Sequence, residues 1–198
     1  MKIIGLTGGS GAGKTAVSVC FQALGAGTVD ADAVYRNLCA GSRPMLEALA
    51  AAFGDVLTPE GALDRPKLAK IVFSDPEKLN ILNKLTFPYI RAASEARFME
   101  LAQSGHTVIL YDAPTLFQTG ADALCAAVIG VIASRETRIA RIISRDGLSR
   151  EAAAARIDAQ PDEGFYRSRC RFVIENNGTP EELEAQACEI WRKIEKIQ

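Results

Sequence analysis

The opening apolar positions form a block. Residues 2–7 (KIIGLT) are a short, nearly unbroken apolar run ending on Gly8 and Gly9, which predicts a buried parallel strand followed by a tight turn. The period then changes, with Val17, Cys20, Phe21 and Leu24 recurring at helical spacing and Gly25 standing where a helix C-terminus is expected. Residues 28–30 predict a short second strand. A helix carrying Val34, Tyr35 and Leu38 follows, with Asp32 placed to cap it and Gly41 to stop it. From Pro44 to Ser104 the spacing is helical almost throughout, broken at Gly54, at Pro59-Glu60-Gly61 and at Asp75-Pro76, so this stretch reads as a helical insertion. Two more apolar, β-rich runs, 107–112 and 126–133, predict strands beyond it. Helices from Arg135, over 149–160 and from Pro180, with a short strand near 171–175, complete the chain. Strands and helices alternating on either side of an insertion predict an α/β fold built on a parallel sheet.

With 198 residues, 48% of them hydrophobic, the chain can bury a core without a second independent domain. A net charge of −1 gives no bulk attraction for nucleic acid or an anionic membrane, so neither partner is expected and anion recognition must be local. The first apolar run is too short for a signal segment, and no later stretch reads as a membrane span. Cys20, Cys39, Cys125, Cys170 and Cys188 form no CxxC pair, which fits reduced thiols in a cytoplasmic protein and argues against a zinc site. The only histidine, His106, stands just before a predicted strand and reads as a turn residue, not the base of a cysteine nucleophile.

The sharpest local signal is Gly8-Gly9-Ser10-Gly11-Ala12-Gly13-Lys14-Thr15, a full match to GxxxxGK[ST] between a predicted strand and a predicted helix. Glycines let the backbone curl so that successive N–H groups point at phosphate oxygens, next to the positive end of the following helix. Lys14 can reach the β- and γ-phosphates as a point charge, and the Thr15 hydroxyl is placed to ligate the Mg²⁺ that bridges them. A chance glycine turn is the competing account, and the strand-to-helix context weighs against it.

Nucleotide binding alone leaves the reaction open. A guanine-specific Asn-Lys-x-Asp is missing: the nearest string, Asn83-Lys84-Leu85-Thr86, lacks the acid and falls in a helical region, which favours ATP. Asp30-Ala31-Asp32 follows the second strand, and parallel α/β folds place ligands outside the carboxyl ends of their strands. A carboxylate there can take the proton of an attacking hydroxyl or help hold the metal, and the structural alternative is that Asp32 only caps the next helix. Arg138, Arg141 and Arg145 share one helix face, with Ile139, Ile142 and Ile143 turned largely the other way. Such a face is either merely solvated or closes over ATP to neutralise developing charge. Asp112 ends the third strand, either as an acid contacting the metal indirectly or as the cap of a turn.

Over essentially its whole length the chain resembles the dephospho-CoA kinase family. Residues 6–15 look like the family's phosphate loop, and Asp30-Ala31-Asp32 with Arg36 like its DAD-and-arginine motif. Ala62-Leu63-Asp64-Arg65, Val72-Phe73-Ser74-Asp75-Pro76, Arg141 with Arg145-Asp146-Gly147, Gln160, and Asn176-Asn177-Gly178 follow in the family's order. The resemblance implies a nucleoside-kinase-like P-loop fold with its core in 1–31, 107–138 and 166–198, a helical substrate-binding insertion over about 32–106 and a lid over about 139–165. It implies transfer of the ATP γ-phosphate to the ribose 3′-hydroxyl of dephospho-CoA, the last step of coenzyme A synthesis; separately, a monomer or weak homo-oligomer is expected. Asp32, Lys14 and Arg141 would be catalytic. ATP would meet Gly8 through Ala16, Arg141, Arg145 and Asn177, and the acceptor would meet Asp32, Arg36, Phe87 and Gln118. Two positions depart from the pattern: Phe87-Pro88 stands where the family commonly has His-Pro, and Pro114-Thr115-Leu116-Phe117-Gln118 where it commonly has Pro-Leu-Leu-Phe-Glu. These changes take a histidine and an acid from the expected acceptor pocket. A kinase for another small molecule or nucleotide, or an ATP-binding module without chemistry, would keep the same loop.

Overall fold

Five strands form one sheet in a computed structural model that describes residues 1–197. They are β1 (Lys2–Gly8), β2 (Gly27–Asp30), β3 (Val108–Asp112), β4 (Ala127–Ile132) and β5 (Phe172–Glu175), in the order β2-β3-β1-β4-β5. β1 pairs in parallel with β3 and β4, and β4 with β5. A central parallel strand is covered on both faces and therefore needs a continuous apolar run. Ile4 and Leu6 of β1, Ile109 and Leu110 of β3, and Ile129 and Val131 of β4 are accordingly fully buried.

Helix α1 (Lys14–Ala23) packs on this sheet through Val17 and Phe21, in one cluster with Leu183, Ala187, Ile190 and Ile194 of the closing helix α9 (Pro180–Glu195). The four α9 positions follow the 3.6-residue period, and burying each Leu or Ile contributes roughly 1.5–3 kcal/mol. Thr179 and Glu182 form a capping box that starts α9 ahead of the sheet-facing stripe. Helices α6 (Arg135–Asp146) and α7 (Arg150–Asp158) share a smaller cluster of Ile139, Ile142, Ala153 and Ile157. Where one helix was expected to run to Gln160, α7 ends at Asp158, and a further short helix α8 (Glu163–Arg169) follows. Seven residues are too few to show a period, and α8 is set by Asp162, whose carboxylate accepts from the Phe165 amide.

The chain divides into two compact units, one made of residues 1–29 with those from 101 onward, the other Asp30–Glu100. The second is helical: α2 (Ala31–Gly41), α3 (Arg43–Phe53), α4 (Arg65–Phe73) and most of α5 (Pro76–Gln103), around Met45, Leu46, Leu49, Val56, Leu68 and Val72. The expected cap is corrected here. Asp30, not Asp32, caps α2, its Oδ1 accepting from the amides of Asp32 at 2.8 Å and Ala33 at 3.1 Å. Gly41 also lies inside α2, with Ser42 at its end.

His106 is a turn residue ahead of β3, its Nδ1 3.1 Å from the Gly25 carbonyl. All five cysteines are free thiols. Burial pushes Cys125 up to about 12 and Cys170 up to about 11, so neither is a ready nucleophile at neutral pH. Among the described residues no helix is long and apolar enough to cross a membrane.

Candidate active site

The phosphate loop leaves the carboxyl end of β1, the middle strand, and runs directly into α1. Ligands in open parallel sheets bind at this edge, and the N-terminus of α1 adds its positive dipole end. Gly13 has φ 97° and ψ 30°, a left-handed conformation that glycine adopts without strain, and a Cβ there would overlap Asn176 Nδ2. Lys14 Nζ donates to the Gly8 carbonyl at 3.1 Å, folding the lysine back across the loop. Thr15 and Ala16 are exposed in the first turn of α1.

The carbonyl side of the loop is gripped by side chains from distant parts of the core unit. Arg138 Nε donates to Ser10 O at 2.8 Å, and Arg141 Nη1 lies 3.4 Å from Gly11 O and 3.3 Å from Ala12 O. Asn176, buried just after β5, donates from Nδ2 to Ala12 O at 2.9 Å and accepts from Arg141 Nη2 at 3.4 Å. In a trans peptide the C=O and the next N–H point in opposite directions. Tying down the carbonyls of Ser10 and Ala12 therefore turns the amides of Gly11 and Gly13 the other way, toward where an anion can be received.

Arg145 reaches Ser10 Oγ at 3.5 Å but is mainly held by Asp146, with contacts of 2.7 and 2.9 Å. Asp146 is also bonded by Arg156 at 2.6 Å, and the two guanidiniums, Arg145 first, hold its carboxyl down at about 2. The three arginines expected on one face of α6 thus all meet the phosphate loop. Arg138 is 9% exposed, so it is an integral part of the loop's packing rather than a solvated charge.

Asn177, expected at the nucleotide, has its Oδ1 engaged by the Ser134 amide at 2.7 Å, at the N-cap of α6. Its neighbour Asn176 is the one that meets the loop. Asp112 closes β3 in register with Leu6 of β1, one carboxylate oxygen buried. Gln118 is exposed in the segment after β3, where Phe117 packs edge-to-face on Phe165 at 5.6 Å beneath Arg169. Asp32, Arg36 and Phe87 belong to the helical unit. There Asp32 is exposed in the first turn of α2, Arg36 pairs with Asp30 at 3.5 Å, and Phe87 is half-buried in α5 beside Pro88.

Gln160 and Asn176 were not singled out as site residues from sequence, and Arg138 was marked only as part of a cationic face that was either solvated or closed over ATP. Arg138 shares the face of Arg141, and Asn176 lies at the carboxyl end of a core strand, so both carried a signal. Gln160 sits in an irregular turn after α7, and only its place in the family's order marked it.

For Mg²⁺, the chemistry of the donors fits. Thr15 offers a hydroxyl and Asp112 a carboxylate, hard oxygens of the kind that hold Mg²⁺ together with phosphates and water. Among the described residues there is no cluster of three or more His, Cys, Asp or Glu that would cage a metal by itself.

The profile of the dephospho-CoA kinase family matches residues 2–182. A dephospho-CoA kinase of Geobacter sulfurreducens is 42% identical over 194 residues, covering 98% of each chain. A crystal structure of a Thermus thermophilus protein superposes with a TM-score of 0.80 at 33% identity over 97% of both chains. A dephospho-CoA kinase of Campylobacter jejuni gives 0.60 at 25% identity over 98% of this chain and 97% of its own. A parallel sheet with a phosphate loop at its central strand, matched along nearly its full length by these relatives, shows that the chain belongs to the dephospho-CoA kinase family.

Proposed function

We propose that the protein transfers the γ-phosphoryl group of ATP to the ribose 3′-hydroxyl of dephospho-CoA, giving CoA and ADP. The observation that carries this reading is the loop itself. Arg138, Arg141 and Asn176 hold its carbonyls on one side, so its amides are preset for phosphate on the other. Donors fixed before substrate arrives need no reorganisation when charge moves in the transition state.

In the reaction, the 3′-oxygen attacks the γ-phosphorus and the bond from that phosphorus to the β–γ bridging oxygen breaks, leaving ADP. The hydroxyl proton passes to the Asp32 carboxylate. Two facts support Asp32 in that role: it is exposed, and the capping task that would occupy it is performed by Asp30. Lys14 neutralises the β- and γ-phosphates from the start of α1, and Arg141 and Arg145 add charge on the γ side as the α6–α7 segment closes as a lid. Arg145 then exchanges Asp146, and Arg141 its long 3.3–3.4 Å contacts to the loop carbonyls, for phosphate, while Arg138 and Asn176 keep their hold on Ser10 and Ala12. The Thr15 hydroxyl, with Asp32 or Asp112 through water, would hold the Mg²⁺ that accompanies ATP, which would supply charge neutralisation to the phosphates. Arg36, Phe87 and Gln118 are assigned to the acceptor and Asn177 to the nucleotide, on the family resemblance. We place the reaction in the cytoplasm, in keeping with five unpaired thiols, with ATP and dephospho-CoA as partners and the protein a monomer or weak homo-oligomer.

The test is to incubate the protein with Mg²⁺-ATP and, separately, dephospho-CoA, nucleosides, nucleoside monophosphates and pantothenate-type precursors, identifying products by mass. CoA formed only from dephospho-CoA is the expected result. Another phosphorylated acceptor would reassign the substrate, and ATP binding without product would make this a nucleotide-binding module. Asp32→Asn should lower kcat by roughly 10²–10⁴-fold with ATP affinity nearly unchanged, and full retention of turnover would remove Asp32 as the base.

A further inference from the structure

Both peptide groups of Ser10 are captured by a pair of side chains that come together from different elements. Its N–H donates to Gln160 Oε1 at 2.9 Å, its C=O accepts from Arg138 Nε at 2.8 Å, and Arg138 Nη2 donates to that same Gln160 oxygen at 2.7 Å. The result is a closed ring through the loop backbone, the guanidinium and the amide. Nearly all of Arg138 is buried, and burial pulls its pKa down. Its hydrogen-bond partners are neutral, and Asp158, an acid whose charge reaches it, is itself bonded by Arg135 at 2.9 Å. Sinking a cation among neutral acceptors costs desolvation energy, and those acceptors must offset it.

The glycines of the loop accommodate this cation. A Cβ on Gly9 would overlap the Arg138 guanidinium and lie 3.0 Å from Gln160 Oε1, while a Cβ on Gly11 would lie 2.7 Å from the Arg138 carbonyl oxygen. The first part of the loop is therefore shaped around Arg138. Because Gln160 already holds the Ser10 amide, the donors left to receive phosphate are those that follow it.

We infer that Arg138 and Gln160 are a positioning pair that presets the phosphate loop by holding both peptide groups of Ser10, without themselves touching the phosphates. The inference rests on the reading of this loop as an ATP site and adds two residues that govern nucleotide affinity.

The test compares Arg138→Met, Arg138→Lys, Gln160→Leu, Gln160→Glu and the Arg138→Met/Gln160→Leu double variant. Dissociation constants for Mg²⁺-ADP are measured by titration calorimetry, with steady-state kinetics and melting curves alongside. Arg138→Met and Gln160→Leu should each weaken Mg²⁺-ADP about 10-fold and raise the ATP KM equally, with kcat within about 3-fold and the acceptor KM unmoved. Because the Gln160 oxygen is common to both bonds, the double variant should be no worse than about the weaker-binding single. Gln160→Glu, which keeps that oxygen as acceptor, should recover most of the loss seen in Gln160→Leu. Lysine keeps the charge but not the fork, so Arg138→Lys should behave like Arg138→Met. Affinities unchanged in folded variants, fold-changes that multiply in the double variant, a drop in kcat without a change in affinity, or full rescue by lysine would each overturn the pair. Wild-type protein that binds no nucleotide would overturn the ATP site as well, whereas normal wild-type binding with unaffected variants would overturn the pair alone. If Arg138→Met does not fold, the two Gln160 variants carry the decision.

Discussion

Gly13→Ala separates two consequences of one position. Its φ of 97° places an alanine in the left-handed region, at roughly 1–2 kcal/mol. Its Cβ would also overlap Asn176 Nδ2, which must move and give up its 2.9 Å bond to Ala12 O. Breaking a buried hydrogen bond adds roughly 1–3 kcal/mol, for a total of roughly 2–5 kcal/mol. Gly147, at the end of α6 with φ 66°, is the control, because a Cβ there meets nothing within 4 Å and Gly147→Ala bears the strain alone. At roughly 2–4 °C per kcal/mol for a chain of this size, Tm should fall by roughly 2–8 °C in Gly147→Ala and roughly 4–20 °C in Gly13→Ala. The second readout is sharper. Moving Asn176 takes from the Ala12 carbonyl its shorter bond, leaving Arg141 at 3.3 Å, and removes one contact of Arg141, so Gly13→Ala should weaken Mg²⁺-ADP by about 10-fold or more, and Gly147→Ala by less than about 3-fold. Calorimetric melting and nucleotide titration on both variants supply the numbers. If they melt and bind alike, the Asn176 contact contributes nothing beyond strain and the account of the loop's carbonyl side is wrong.

Arg141→Lys removes a fork that spans Gly11 O, Ala12 O and Asn176 Oδ1, and with it the planar donor proposed to meet the γ-phosphate in the transition state, which a point charge cannot reproduce, so kcat should fall by about 10²-fold in steady-state assays. Retention of more than half the activity would refute this. Asp146, held down at about 2 by Arg145 and then Arg156, contributes stability that is complete above its ordinary value of 3.8 and is lost as pH falls toward 2. The wild-type melting temperature should therefore drop more steeply than that of Asp146→Asn between about pH 4 and pH 2, and parallel curves would exclude the assignment. If Phe87 and Gln118 meet the acceptor as proposed, Phe87→His with Gln118→Glu, which supplies a ring nitrogen and an acid, should lower the KM for dephospho-CoA several-fold while leaving that for ATP unchanged. An equal change in both constants would separate these residues from the acceptor.

The sheet was legible because buried parallel strands need uninterrupted apolar runs, and 2–7, 107–112 and 126–133 supply them in β1, β3 and β4. Helix α8 was not, since its seven residues mix aromatic Phe165 and Tyr166 with three charged ones and show no period, so the Asp162 cap is the local mark of its start. The cap of α2 failed for a different reason. Asp30 and Asp32 are equally good capping residues, and a shift of two positions depends on where β2 ends, which local sequence does not specify. That shift matters chemically: with the cap at Asp30, the Asp32 carboxylate is left outside the capping bonds.

The two sides of the phosphate loop differ in legibility because they use different chemistry. Phosphate is received by backbone amides, and a backbone that must curl tightly needs glycine at fixed offsets, so that side is written in one contiguous string. The carbonyls behind it are bonded by side chains at 138, 141, 160 and 176, which only the parallel sheet and the return of α6 bring together. Sequence could show that three arginines share a helix face, but not that the face packs on the loop. The same division has a consequence for relatives: a chain can keep every glycine, the lysine and the threonine and still lose nucleotide affinity through a change at Arg138, Gln160 or Asn176. An intact motif testifies to the amides that meet phosphate, whereas affinity also depends on what holds the opposite edge of those peptides in place.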